Sequence, residues 1–254
     1  MNQGAEMVGA SGGAVTGFLL GGLVGAGVGA AAGSFIANKL RSAGEEVLRR
    51  YLSPREQQRI GMVLAAATEA IQEKIAQGHQ PRQDGFFEAQ ASERSTADEI
   101  TEGVLIAAQR EFEEKKIYFM GRLLANIAFD DSTDRAQANF LVRTAESLSY
   151  RGLCILFVAG NVNEFGLFDK AFGQYNAPQP PGLPSLLTEI FTLIGQSLLH
   201  FSKSEVPRIV YMVPAKMRLQ GVGTDLYQLV DLEQLRDRPQ DWEPIVKLLQ
   251  PPMP

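Results

Sequence analysis

The chain has 254 residues, 45% of them hydrophobic and 21% charged, with a net charge of −5. This balance belongs to a globular protein with material for one large core or two small ones, and it excludes a disordered chain and wholesale nucleic-acid binding. One cysteine, Cys154, and two histidines, His79 and His200, exclude a disulfide scaffold and any His/Cys zinc spacing.

The first element in chain order is the least usual. From Met7 to Asn38 no residue is charged, and glycine recurs at Gly9, Gly13, Gly17, Gly21, Gly25, Gly29 and Gly33, with Ala5 and Ala37 extending the row. A flexible linker would combine glycine with serine; here it alternates with Val, Phe, Leu and Ile at a strict period of four. Gly25-Ala26-Gly27-Val28-Gly29-Ala30 fits G-x-G-x-x-G/A, but that fingerprint needs a preceding strand and an acidic residue about 20 positions on. Glu45 and Glu46 arrive too early, and no G-x-x-x-x-G-K-[ST] occurs. MNQGAEM lacks the basic residues of a signal peptide.

On an α-helix, residues four apart form a ridge, and a ridge of glycine lets another backbone approach closely. The ridge drifts about 40° per step, so it serves more than one neighbour and suits a cluster of copies. Residues 7–38 as one helix reach about 48 Å, more than the roughly 30 Å of a bilayer core. A hairpin broken near Gly21-Gly22 gives arms of about 21 Å, too short to span. Large apolar residues are few (Phe18, Leu19, Leu20, Leu23, Val24, Val28, Phe35, Ile36). The expectation is therefore a segment that inserts conditionally, when copies assemble. Its alternative is a glycine helix or hairpin packed inside a soluble oligomer, because close packing does not require lipid. Lys39, Arg41, Arg49 and Arg50 follow at once, so insertion would leave the C-terminal bulk in the cytoplasm.

Lys39 to Leu52 reads as a short helix. Ser53-Pro54-Arg55-Glu56 is a capping box with proline at the first helical position, opening a helix to about Gln77 that Gly78 closes. Residues 78–95 read as a loop with Phe86-Phe87 tucked under a helix. Ser95 caps one long helix to Asp130, with Ile100, Val104, Ala108, Phe112, Phe119, Leu123 and Ile127 as its apolar stripe. Within it, EFEEKK (111–116) reads as a solvated face supported by Glu111 and Lys115. DDSTD (130–134) reads as a turn and N-cap for a helix over 134–148, rather than a carboxylate pair or metal site.

From Leu148 the character changes. LSYRGLCILFVAG is a capped apolar helix with Cys154 as a core residue, followed by a loop holding Phe165, Phe168, Phe172 and Tyr175. After APQPPGLP comes a helix over 185–201, then two strand-like pieces in IVYMVPAKMRLQ, a Thr-capped helix in GVGTDLYQLVDLEQL, and a closing helix near Trp242 to Leu249. The order suggests a winged-helix-like module. Residues 150–254 hold nine Lys and Arg against ten Asp and Glu, net −1, without the basic face that a DNA reader needs. Protein recognition is the expectation.

GEEVLRRYLSPREQQRIG, EFEEKKIYFMGRLLANIAFD and SLSYRGLCIL, taken with the glycine row, resemble bacterial anti-phage effectors of the abortive-infection membrane type. The resemblance implies a glycine zipper over 1–38, a helical domain over 39–149 and a winged-helix-like interaction module over 150–254. It implies a non-enzymatic protein in the cytoplasm that oligomerises through Gly9, Gly13, Gly17, Gly21, Gly25, Gly29 and Gly33 and disrupts a membrane when a sensor protein partner triggers it. The expected partners are thus copies of itself, the sensor and membrane lipid, with no nucleic acid; no catalytic residue, cofactor or metal is expected. A soluble scaffold remains the alternative. A hydrolase using Asp130, Asp131 or His200 is the third reading, disfavoured because no nucleophile motif such as G-x-S-x-G occurs.

Overall fold

The computed structural model describes residues 52–89, 94–172, 180–201 and 211–251, and before them Ile36, Lys39, Ser42 and Val47. The chain is mainly helical and divides into two compact units, Met1–Glu146 and Ser147–Pro254.

In the first unit, α1 (Pro54–Ala76) starts at the capping box: the Ser53 hydroxyl accepts from the Glu56 N–H, and the Glu56 carboxylate accepts from the Ser53 N–H. It stops at Gln77, where Gly78 takes a φ of 85° that strains any residue with a Cβ. Its apolar face, Ile60, Val63, Leu64, Ala67 and Ile71, is buried. The next helices are α2 (Thr96–Arg110), capped by Ser95; α3 (Glu114–Ile127); and α4 (Arg135–Ser147), entered through the Asp134 carboxylate, which accepts from the Gln137 N–H. Helices α1 and α3 form the main contact of the unit, and α2 packs on both.

The expected single helix from Ser95 to Asp130 is in fact two. The chain turns extended at Glu111 (ψ 128°) and resumes as a helix at Glu114. The expected solvated EFEEKK face holds at Phe112, Glu114 and Lys115, which are exposed, and is overturned at its two ends. Glu111 turns inward and pairs with Lys116 at 2.5 Å, both side chains buried, while Lys116 Nζ also donates to the Glu146 carbonyl at 2.6 Å. The second Glu111 oxygen takes the Glu113 N–H at 2.9 Å. Phe112, expected in the stripe, is 82% exposed, because the break rotates it outward; Ile100, Val104, Ala108, Phe119, Leu123 and Ile127 are buried.

Gln109 and then Ser53 donate hydrogen bonds that hold the Glu56 carboxyl down to about 2 from its ordinary 4.5. A carboxylate with a depressed folded pKa contributes stability above its unfolded value and loses it as pH falls through the folded one. Thermal melts are expected to be flat near pH 5–6 and to decline between about pH 4.5 and 2, and Glu56→Gln to remove part of that decline. A Glu56→Gln curve that overlays the wild type down to pH 2 would show that the carboxylate has no such effect.

In the second unit, α5 (Tyr150–Gly160) is apolar on all sides and accordingly buried from Gly152 to Ala159, with Cys154 in the core. Around it lie α6 (Leu183–Gly195), β1 (Leu199–Phe201), β2 (Met217–Leu219), α7 (Val222–Leu229), a 3-10 turn (Leu232–Asp237) and α8 (Pro239–Leu249). Helix α6 ends earlier than the expected 201, because Ser197 takes a left-handed φ of 59° and Leu199 starts a strand. That strand pairs antiparallel with β2, Leu199 opposite Leu219 and Phe201 opposite Met217, so the partner of MRL is LHF; Ile209 and Val210 of the other strand-like piece lie outside the described residues. The N-cap of α7 is Gly221, with Thr224 inside the helix, because Gly223 must pass directly over the Leu198 carbonyl: a Cβ there would lie 2.0 Å from that oxygen. Phe157, Phe165 and Trp242 stack at 5.0–6.1 Å, and Trp242 Nε1 donates to the Leu235 carbonyl.

Candidate functional site

The glycine row, Gly9 through Gly33, lies outside the described residues, as do Arg41, Arg49, Arg50 and Tyr175. What the structure shows is where the row enters the first unit. Ile36, three positions after Gly33, has helical backbone and is 2% exposed; Val47, also helical, is 1% exposed. Ile36 and Lys39 border a small apolar cleft whose other walls are Ile71 of α1, Ala97 and Thr101 of α2, Leu124 of α3, and the Phe86-Phe87 loop. At its rim the Lys39 ammonium pairs with Asp98 at 3.7 Å, both side chains about one-third exposed.

The forces on this arm can be ranked. Burying an aliphatic side chain such as Ile36 or Val47 contributes about 1.5–3 kcal/mol. A partly exposed ion pair such as Lys39–Asp98 adds at most about 1 kcal/mol. Ordering backbone opposes both, at about 1–2 kcal/mol per residue, so among the contacts of the described residues the apolar ones dominate.

The loop that walls the cleft has its own fastening, absent from the sequence reading. Arg82 is buried, with its guanidinium over the Phe86 ring at 4.4 Å. It donates to the Thr133 carbonyl at 2.8 Å and the Ile127 carbonyl at 3.3 Å, and pairs with Asp84. The Asp84 carboxyl lies below its ordinary range, chiefly through hydrogen bonds from Arg82 against the opposing effect of burial. Phe86 meets Phe87 edge-on at 5.0 Å and is buried, as the sequence suggested, while Phe87 is half-buried. The only signal for Arg82 was a basic residue between Pro81 and Gly85, in a segment that reads as surface loop.

Elsewhere the polar groups are taken up by structure. Asp130 accepts from Ser132 and Thr133 within its own turn, and His200 stands opposite Arg218 in the sheet. In the second unit Asn161 donates to the Tyr227 hydroxyl at 2.7 Å, and Arg236 donates to Asn161 and pairs with Glu164 and Glu233. Burial raises the Glu233 carboxyl, but bonds from Tyr227 and Arg236 outweigh it and hold it below its usual range. Burial, reinforced by the Glu233 carboxylate, pushes the Tyr227 phenol up. This network joins the end of α5 to α7 and the 3-10 turn. Among the described residues no group of His, Cys, Asp and Glu is arranged to hold a metal, and no helix is long and apolar enough to cross a membrane.

No protein family matches the chain, and no curated protein or solved structure is significantly similar to it.

Proposed function

We propose that this chain is a non-enzymatic effector that assembles through its glycine row and permeabilises a membrane on a trigger, in the manner of anti-phage abortive-infection effectors. The observation that carries the reading is the unbroken four-residue glycine period inside the charge-free stretch 7–38. The buried Ile36 supports it, since it ties the root of the row to a folded unit. In this reading the second unit, a small antiparallel sheet set among helices, is a winged-helix-like module that receives the sensor protein. Its near-neutral charge favours a protein over DNA as that partner.

Liposome leakage by the purified full chain is the test. Gly21→Leu and Gly25→Leu each push neighbouring backbones apart at the ridge and are expected to reduce leakage at least about tenfold while leaving the far-ultraviolet circular dichroism unchanged. Wild-type leakage from either variant would overturn the reading.

A second reading is favoured by one contact. Gly121 of α3 lies so close to α1 that an added Cβ would stand 2.5 Å from the Val63 carbonyl oxygen and 2.7 Å from Ala66 Cβ. This chain thus uses glycine for close helix packing without lipid, as a soluble scaffold assembled through the glycine row would. Fractionation separates the two: the scaffold stays in the supernatant at every expression level, whereas the effector moves to the membrane fraction as its concentration rises.

A further inference from the structure

We propose that the Ile36 seat is a releasable latch, controlled by the Arg82-pinned loop, whose opening frees the root of the glycine row for assembly with other copies. The inference deepens the assembly step shared by both readings above and does not depend on lipid.

Three observations converge on it. First, Ile36, which follows the row, is docked: it is 2% exposed in the apolar cleft. Second, the ion pair beside the seat is weak, since Lys39 and Asp98, 3.7 Å apart, sit where water screens them. Third, one wall of the seat belongs to a loop and not to a helix. That loop turns at Gly85 (φ 82°), and Phe86 is held against the body by the guanidinium of Arg82, which is itself anchored on the carbonyls of Thr133 and Ile127.

The surface side of this fastening is accessible. Gln83 and Asp84 are exposed, so a protein that engages Asp84 with a cation of its own competes for the partner of Arg82. Loosening Arg82 lets Phe86 leave the wall, and the seat loses apolar contact with Ile36. The latch thus converts binding at an exposed carboxylate into release of a buried isoleucine, with no change required in the α1–α3 contact. A trigger partner of this kind would present Arg or Lys to the 83–88 loop.

The test uses the full chain. Ile36→Cys places a thiol in the seat; Cys154, 1% exposed, controls for unfolding of the second unit, and an unchanged far-ultraviolet circular dichroism and melting transition control for unfolding of the first. Labelling with a thiol reagent is expected to be slow in Ile36→Cys, at least about tenfold faster when Phe86→Ala is added, and intermediate with Asp84→Ala, while Cys154 stays protected throughout. Limited trypsin cleavage after Lys39 and Arg41 in the single variants Phe86→Ala and Asp84→Ala should rise in the same order, which removes dependence on the introduced cysteine. Sedimentation should show larger assemblies in the order of release. Equal labelling with and without Phe86→Ala, or release without larger assemblies, would overturn the latch. Assemblies that form on release but leave liposomes sealed would uphold the latch and overturn the membrane function instead.

Discussion

Lys116→Ala is expected to destabilise the first unit by about 3–5 kcal/mol, the cost of leaving one member of a buried ion pair alone. The Lys116 side chain is 2% exposed and that of Glu111 is 7% exposed. Without the ammonium, the Glu111 carboxylate keeps the Glu113 N–H but no cation among the described residues, and the Glu146 carbonyl loses the Lys116 donor. A loss of this size lowers the melting temperature by on the order of 10–20 °C. The effect is specific to the pair. Lys115→Ala, one position earlier and exposed, is expected to change stability by about 0.5 kcal/mol or less. Replacing both partners together, Glu111→Leu with Lys116→Met, should recover much of the loss, because no charge is then stranded. Denaturant unfolding of the four chains checks this. A double variant no more stable than Lys116→Ala would show that the pair does not act as a unit.

The second large effect is expected at Gly121. An alanine Cβ there meets the Val63 carbonyl oxygen at 2.5 Å, Ala66 Cβ at 2.7 Å and the Ala67 nitrogen at 3.0 Å, two of them backbone atoms that cannot rotate away. The α1–α3 contact must open, and this is the main contact of the first unit. Gly121→Ala should therefore destabilise by about 3 kcal/mol, at the upper end of ordinary overpacking, and Gly121→Leu by more. Gly103 is the internal comparison. It also lies in a helix, but its added Cβ would meet only Val142 Cγ1 at 3.9 Å. Gly103→Ala should then stabilise by about 0.5–1 kcal/mol through helix propensity alone. Thermal melts of the two alanine variants should move in opposite directions; a shift of the same sign would refute the packing argument.

Both predictions fall on residues that a sequence reading passes over, and the reason is physical. Four helix starts were legible because a cap is a local device: Ser53 with Glu56, Ser95 with Asp98, Asp134 with Gln137 and Ser149 with Gly152 each complete their hydrogen bonds within three residues. The buried α5 was legible because an all-apolar run of that length has nowhere else to go. Periodicity also placed Ile100, Val104, Phe119 and Leu123 inside correctly.

The remaining features depended on partners far along the chain. The break at Glu111 violates no local propensity; it exists because Lys116 and the carbonyl of Glu146 give the buried carboxylate and ammonium a site between helices. Leu199–Phe201 continues an apolar helical pattern and becomes a strand only through Met217–Leu219. Arg82 looks like a loop cation until the carbonyls of Ile127 and Thr133 converge on it. Gly121 is one glycine among 25 until α1 lies against it. For the candidate site the division runs through residue 36. The glycine row up to Gly33 was determined by the sequence itself, as a period of four that needs no fold to be seen. The seat of Ile36 was decided by tertiary structure, because α1, α2, α3 and the Arg82-pinned loop meet only after the chain has folded.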